Sequence, residues 1–129
     1  MKNKLREILN NSYAPLSKYH VACIVECENG ETYEGVNVET SSPAAGICAE
    51  RNAIYNMIAH GQNKIKTIYI MNKTEKECYP CFICRQTLVD FCQENTIIKT
   101  YNYNGTIEKE ITVKQLCPYP FSTKDLEEE

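Results

Sequence analysis

The chain has no apolar run longer than the five residues Val21 to Val25. Five residues cannot cross a bilayer, so no transmembrane helix and no membrane partner are expected. Basic runs are missing too: 14 Lys and Arg stand against 17 Asp and Glu, a net charge of −3. A surface that holds a polynucleotide normally shows as a basic face, so nucleic acid is not the expected partner. The N-terminal stretch holds Lys2, Lys4, Arg6 and Glu7 with no apolar segment behind them. It therefore gives no secretion signal, and the expected setting is cytoplasmic. No internal repeat, low-complexity tract or linker interrupts the 129 residues, so one domain over 1–129 is expected. The single charge run, Glu127-Glu128-Glu129, reads as a solvated tail.

Cysteine, by contrast, is plentiful, with eight residues. Disulfides are not the default in a reducing compartment, and a chain of this length can build a core without staples. Cys23 lies inside the apolar run, Cys92 follows a helical pattern, and Cys27 and Cys117 fall near element ends. These four read as small packing residues. Cys48, Cys78, Cys81 and Cys84 remain for chemistry.

Periodicity supplies the framework. Leu5, Ile8 and Leu9 have helical spacing, so Lys2 to Asn11 reads as an amphipathic helix. Val21 to Cys27 and Thr32 to Val38 read as strands joined across Asn29-Gly30, a hairpin signal. A second helix is expected from Ile47 to His60, with Ile47, Ile54, Met57 and Ile58 inward and Gly61 as its stop. Thr67 to Met71 reads as a strand. Pro80 opens a third helix with Ile83, Leu88, Val89 and Phe91 as core candidates. Ile97 to Tyr103 and Ile107 to Val113 read as two further strands about Asn104-Gly105. Gln115 and Leu116 fall in a short turn. Ser122, with Asp125 three residues on, reads as the cap of a last helix. This order predicts an α/β fold: a five-stranded mixed sheet with helices on both faces, a three-layer α/β/α sandwich.

Two segments carry the candidate chemistry, Cys48-Ala49-Glu50-Arg51 and Pro80-Cys81-Phe82-Ile83-Cys84-Arg85-Gln86. Each opens a predicted helix, and Cys81 and Cys84 share one helical face. Helix N-termini favour thiolates, and three thiolates suit zinc. Three protein ligands leave a zinc coordination position open, as in catalytic sites; a fourth, such as Cys78, closes it. Glu50 is placed to move protons beside such a site. A thioredoxin-like pair at Cys81 and Cys84 leaves Glu50 unexplained. An iron–sulfur run from Cys78 lacks its next thiol at the usual distance. A closed structural zinc in a non-catalytic binding module is the remaining alternative.

The pattern Cys/His-x-Glu followed by Pro-Cys-x-x-Cys resembles the signature of zinc nucleoside and nucleobase deaminases. The chain is most similar to the small cytidine deaminases, and the likeness covers nearly its whole length. Tyr13 to Tyr19 resembles that family's Tyr-Ala-Pro-Tyr-Ser-Lys-Phe segment. Gly35 to Glu39 is similar to its ribose-recognition strand, and Leu116 to Ser122 to its Leu-Leu-Pro-x-x-Phe-Ser end. The resemblance implies zinc ligands at Cys48, Cys81 and Cys84, one ion per chain, and Glu50 as general acid and base. It implies ribose contacts from Asn37 and Glu39, base contacts from Ala49 and Tyr19, and Arg51 against the zinc thiolates. It further implies a homotetramer in which Phe121 reaches a neighbouring subunit's site. The implied reaction is hydrolytic deamination of cytidine and 2′-deoxycytidine to the uridines, with ammonia released, in pyrimidine salvage. A blasticidin-S-type deaminase is the related alternative. Departures from the pattern are Phe82 and Ile83 in place of small residues, His20 in place of proline, Ala22 in place of glycine, and Pro43-Ala44-Ala45 in place of a stretch that carries a pocket tyrosine.

Overall fold

The computed structural model describes residues 1–127; Glu128 and Glu129 of the acidic tail lie outside the described residues. Helix α1 spans Lys2–Leu9, and strands β1 and β2 span Val21–Cys27 and Thr32–Val36. Helix α2 (Ala49–Ala59), strand β3 (Ile65–Asn72) and helix α3 (Phe82–Phe91) follow. Strands β4 (Ile97–Tyr101) and β5 (Glu108–Thr112) and the one-turn helix α4 (Val113–Leu116) complete the order. The sheet runs β2-β1-β3-β4-β5. Only β3 and β4 pair in parallel, and α3 is their crossover; the other neighbours are antiparallel.

Strand β1 shows why the longest apolar run lies where it does. Cys23 and Val25 point to one face and pack with Ala53, Ile54 and Met57 of α2 and Leu88 of α3. Ala22 and Ile24 point to the other and pack with Leu5, Ile8 and Leu9 of α1. A strand covered on both faces is apolar at successive positions instead of alternating. The expected α/β/α sandwich with a five-stranded mixed sheet is therefore the observed architecture. Gly35 sets how closely α2 lies on β2. A Cβ there would meet the backbone N of Ala53 and come 2.6 Å from the Ala49 carbonyl oxygen. The bare glycine thus fixes the place of the first turn of α2.

Several boundaries differ from expectation for local reasons. β2 ends at Val36, because Val38 leaves the ladder and bridges Tyr13 and Ile47 instead. Ile47 is thereby held extended, and α2 begins at Ala49. Cys81 caps α3, so Pro80 precedes the helix. β3 gains residues at both ends of the expected 67–71. β4 and β5 are shorter at their facing ends, where the buried Asn102 side chain takes over from the ladder. It accepts from the Ile107 N–H at 2.9 Å and donates to the Glu75 carbonyl at 3.1 Å. The last helix is a 3-10 turn over Thr123–Leu126, with the Asp125 carboxylate accepting the Ser122 N–H at 2.8 Å. Two expected core residues are exposed. Ile58 lies one step round the helix from the buried Met57, and Ile83, 64% exposed, stands at the open end of α3.

Candidate functional site

The N-termini of α2 and α3 meet, and each is capped by a cysteine. Cys48 caps α2 and Cys81 caps α3, both in extended backbone, with neither side chain hydrogen-bonded to its own helix end. Cys84 lies in the first turn of α3 and is buried. The three sulfurs all lie within 4.8 Å of one another, and Cys48 and Cys81 are 3.7 Å apart. Ligands about 2.3 Å from a tetrahedral zinc stand about 3.8 Å from each other. The donor set and its spacing therefore fit zinc.

Charge around the sulfurs fits as well. The Arg51 guanidinium places Nη2 3.6 Å from the Cys48 sulfur. Its Nε is buried without a hydrogen-bond partner, an unsatisfied donor beside an electron-rich cluster. The Cys84 thiol hydrogen bond and the Arg51 charge bring Cys48 down to about 5. Cys84 moves the other way, because it gives its proton toward Cys48 and is buried. Cys78 stays apart from the trio. Among the described residues the metal-holding cluster is Cys48, Cys81 and Cys84, and burial pushes the Cys78 thiol up to about 12. The fourth ligand of a closed site is thus not supplied by Cys78.

Glu50 sits two residues into α2 and is only 5% exposed. Burial lifts its carboxyl to about 7, with the Cys48 charge adding to the rise. A carboxyl poised near neutrality can both take and give a proton. It lines a cavity of about 740 Å³, together with Cys48, Ala49, Arg51 and Cys81. Tyr19, Asn37 and Glu39 form another part of the wall. The Glu39 carboxylate accepts the Leu16 and Ser17 N–H groups at 2.9 and 3.0 Å, folding the 13–19 segment over the cavity.

Phe121 is not in this wall. It is 57% exposed, and Gln86 Nε2 holds its carbonyl at 2.8 Å. Sequence reasoning missed Tyr79, which stands at the rim and is tied outward to Glu77 at 2.7 Å and Lys109 at 2.9 Å. Its adjacency to Pro80-Cys81 was the available signal. It also missed Cys78 as a wall residue, having weighed it only as a ligand.

Comparison with known proteins agrees with this geometry. A family model for the cytidine and deoxycytidylate deaminase zinc-binding region matches residues 1–100. A cytidine deaminase of Sporosarcina psychrophila is 36% identical over 115 residues, covering 89% of this chain and 84% of the relative. The crystal structure of cytidine deaminase from Burkholderia pseudomallei superposes with a TM-score of 0.83 at 25% identity, covering 94% of this chain and 99% of that one. More distant is a blasticidin-S deaminase of Bacillus cereus, 24% identical over 114 residues, covering 82% of this chain and 79% of the relative. With its three-cysteine cluster and its fold, the chain belongs to the cytidine and deoxycytidylate deaminase family of zinc-binding proteins.

Proposed function

We propose that the protein is a zinc-dependent hydrolase that deaminates cytidine and 2′-deoxycytidine to uridine and 2′-deoxyuridine, releasing ammonia. The carrying observation is the buried carboxyl of Glu50 beside a three-thiol cluster, at the inner end of a cavity large enough for a nucleoside. Cys48, Cys81 and Cys84 hold one zinc ion per chain. When bound, zinc supplies a Lewis acid that makes water nucleophilic at neutral pH. Glu50 takes one proton of the attacking water and delivers it to ring N3, then takes the proton of the hydroxyl added at C4 and passes it to the departing amine, which leaves as ammonia. Arg51 offsets the charge of three thiolates on a divalent ion. Ala49 and Tyr19 border the base, and Asn37 and Glu39 hold the sugar.

Asn37 and Glu39 are the observation that favours a ribose-bearing substrate over a blasticidin-S-type one, since both polar side chains line the cavity. The assembly we propose is a homotetramer in which Phe121, outside its own cavity wall, serves a neighbouring site. The chain acts as one domain over 1–129, in the cytoplasm, in pyrimidine salvage. The deciding experiment mixes the zinc-loaded protein with cytidine and follows the loss of cytosine ultraviolet absorbance. Turnover with about one zinc per chain supports the reading; bound zinc without turnover of either nucleoside overturns it.

A further inference from the structure

The side-chain amide of Asn37 is held by an unusually complete set of partners. Its Oδ1 accepts the Val21 backbone N–H at 2.9 Å and the Ser12 hydroxyl at 2.5 Å. Its Nδ2 donates to the Tyr19 carbonyl at 2.7 Å. A backbone N–H can only donate and a carbonyl can only accept, so these bonds fix which end of the amide is which. Behind Ser12 stands His20, with Nδ1 2.8 Å from the Ser12 oxygen.

The proton count along this chain has one solution. Ser12 has a single hydroxyl proton, and it goes to Asn37 Oδ1, which cannot donate. The contact with His20 then requires Nδ1 of the ring to carry a proton and donate to Ser12. Both lone-pair positions of Oδ1 are used, and one Nδ2 proton is used on Tyr19. One N–H of Asn37 is left, and Asn37 lines the cavity. Glu39 Oε1 accepts the Leu16 and Ser17 N–H groups, and the carboxylate, which only accepts, has further lone pairs to offer. A ligand hydroxyl placed between them accepts from Asn37 and donates to Glu39.

We infer that Ser12 and His20 are positioning residues for the sugar hydroxyl, acting through Asn37. This rests on the proposed nucleoside reading, and it adds two residues outside the cavity wall. Without Ser12, the amide keeps only its backbone partners and His20 loses its acceptor. Asn37 then presents its free N–H with less precision. The effect falls on sugar recognition, because Glu50 and the three cysteines lie on other elements.

The test has two arms, both on the full chain. Long-range proton–nitrogen NMR above the histidine titration range reads the His20 tautomer directly. The expected result is a proton on Nδ1, moving to Nε2 in Ser12→Ala; a proton on Nε2 in the unaltered chain overturns the inference. The kinetic arm compares cytidine with 2′,3′-dideoxycytidine, which lacks both ring hydroxyls. Ser12→Ala is expected to raise KM for cytidine roughly three- to tenfold, the loss of about one hydrogen bond, with kcat within about twofold. KM for the dideoxy compound stays unchanged, and Ser12→Thr restores cytidine binding. An equal change on both substrates, or none, overturns the inference. If the unaltered zinc-loaded chain deaminates neither compound, the nucleoside reading fails, while the tautomer still decides the Ser12–His20 pair.

Discussion

The sulfurs of Cys48 and Cys81 stand 3.7 Å apart across 33 positions of sequence, each on the residue that caps a different helix. That single juxtaposition joins two otherwise separate helix ends into a cluster able to hold a metal ion. Metal content reads it out. Cys48→Ser, Cys81→Ser or Cys84→Ser is expected to lose the ion on dialysis, since two thiolates hold zinc weakly. Cys78→Ser is expected to keep about one zinc per chain, because its sulfur is outside the cluster. Loss of zinc in Cys78→Ser would return the site to a closed, four-thiolate centre.

Glu50→Gln removes the proposed proton carrier and keeps its shape. The cysteines are untouched, so bound zinc is expected to match the unaltered chain. Turnover of cytidine is expected to fall about 10²- to 10⁴-fold, the range of a lost general acid and base. Near-normal turnover would remove Glu50 from the mechanism.

Gly35→Ala tests how α2 is seated. The added methyl meets the Ala53 N and Ala49 O backbone atoms, which cannot rotate away. A loss of about 2 kcal/mol or more is expected, in the range of overpacked cores. Thermal denaturation should show a Tm lower by roughly 8 °C or more. A Tm equal to that of the unaltered chain would mean that the helix shifts freely.

Glu39 gives a pH dependence. The Ser17 hydroxyl and the Ser17 and Leu16 backbone N–H groups hold its carboxyl below the ordinary 4.5. A lowered folded value means that this contribution is complete above 4.5. It is lost as the pH falls through the folded value. The Leu16 and Ser17 amide resonances are expected to shift together with an acidic midpoint below 4.5. A midpoint at or above the ordinary value would show that Glu39 does not hold the segment.

Phe121 tests the proposed assembly. Phe121→Ala is expected to raise KM for cytidine while leaving bound zinc unchanged, and sedimentation of the unaltered chain should give a species larger than a monomer. A fully active monomer would leave Phe121 without that role.

Much of the site was legible because metal chemistry is local in sequence. Cys81 and Cys84 share a helical turn, and Cys48 and Glu50 fall within two residues of each other. Patterns so short survive without a structure. The strands were legible for a similar reason, since short apolar and β-branched runs and the Asn29-Gly30 turn leave marks along the chain. Strand ends were less so. Asn102 and Val38 end their strands through partners far away in sequence, Glu75 for one and Tyr13 and Ile47 for the other. Ile83 looked like core by composition, and only the direction of α3 turns it outward.

The amino-acid sequence by itself determined that three thiols and the carboxyl of Glu50 stand near the starts of two helices. This follows from residue type and from spacings within one or two helical turns. The tertiary structure alone decided which thiols converge, leaving Cys78 in the cavity wall and Cys84 in the cluster. It alone decided that Ser12 and His20 stand behind Asn37. Hydrogen bonds and metal ligation act over about 2–4 Å, and no pattern along the chain states which distant residues will meet within that range.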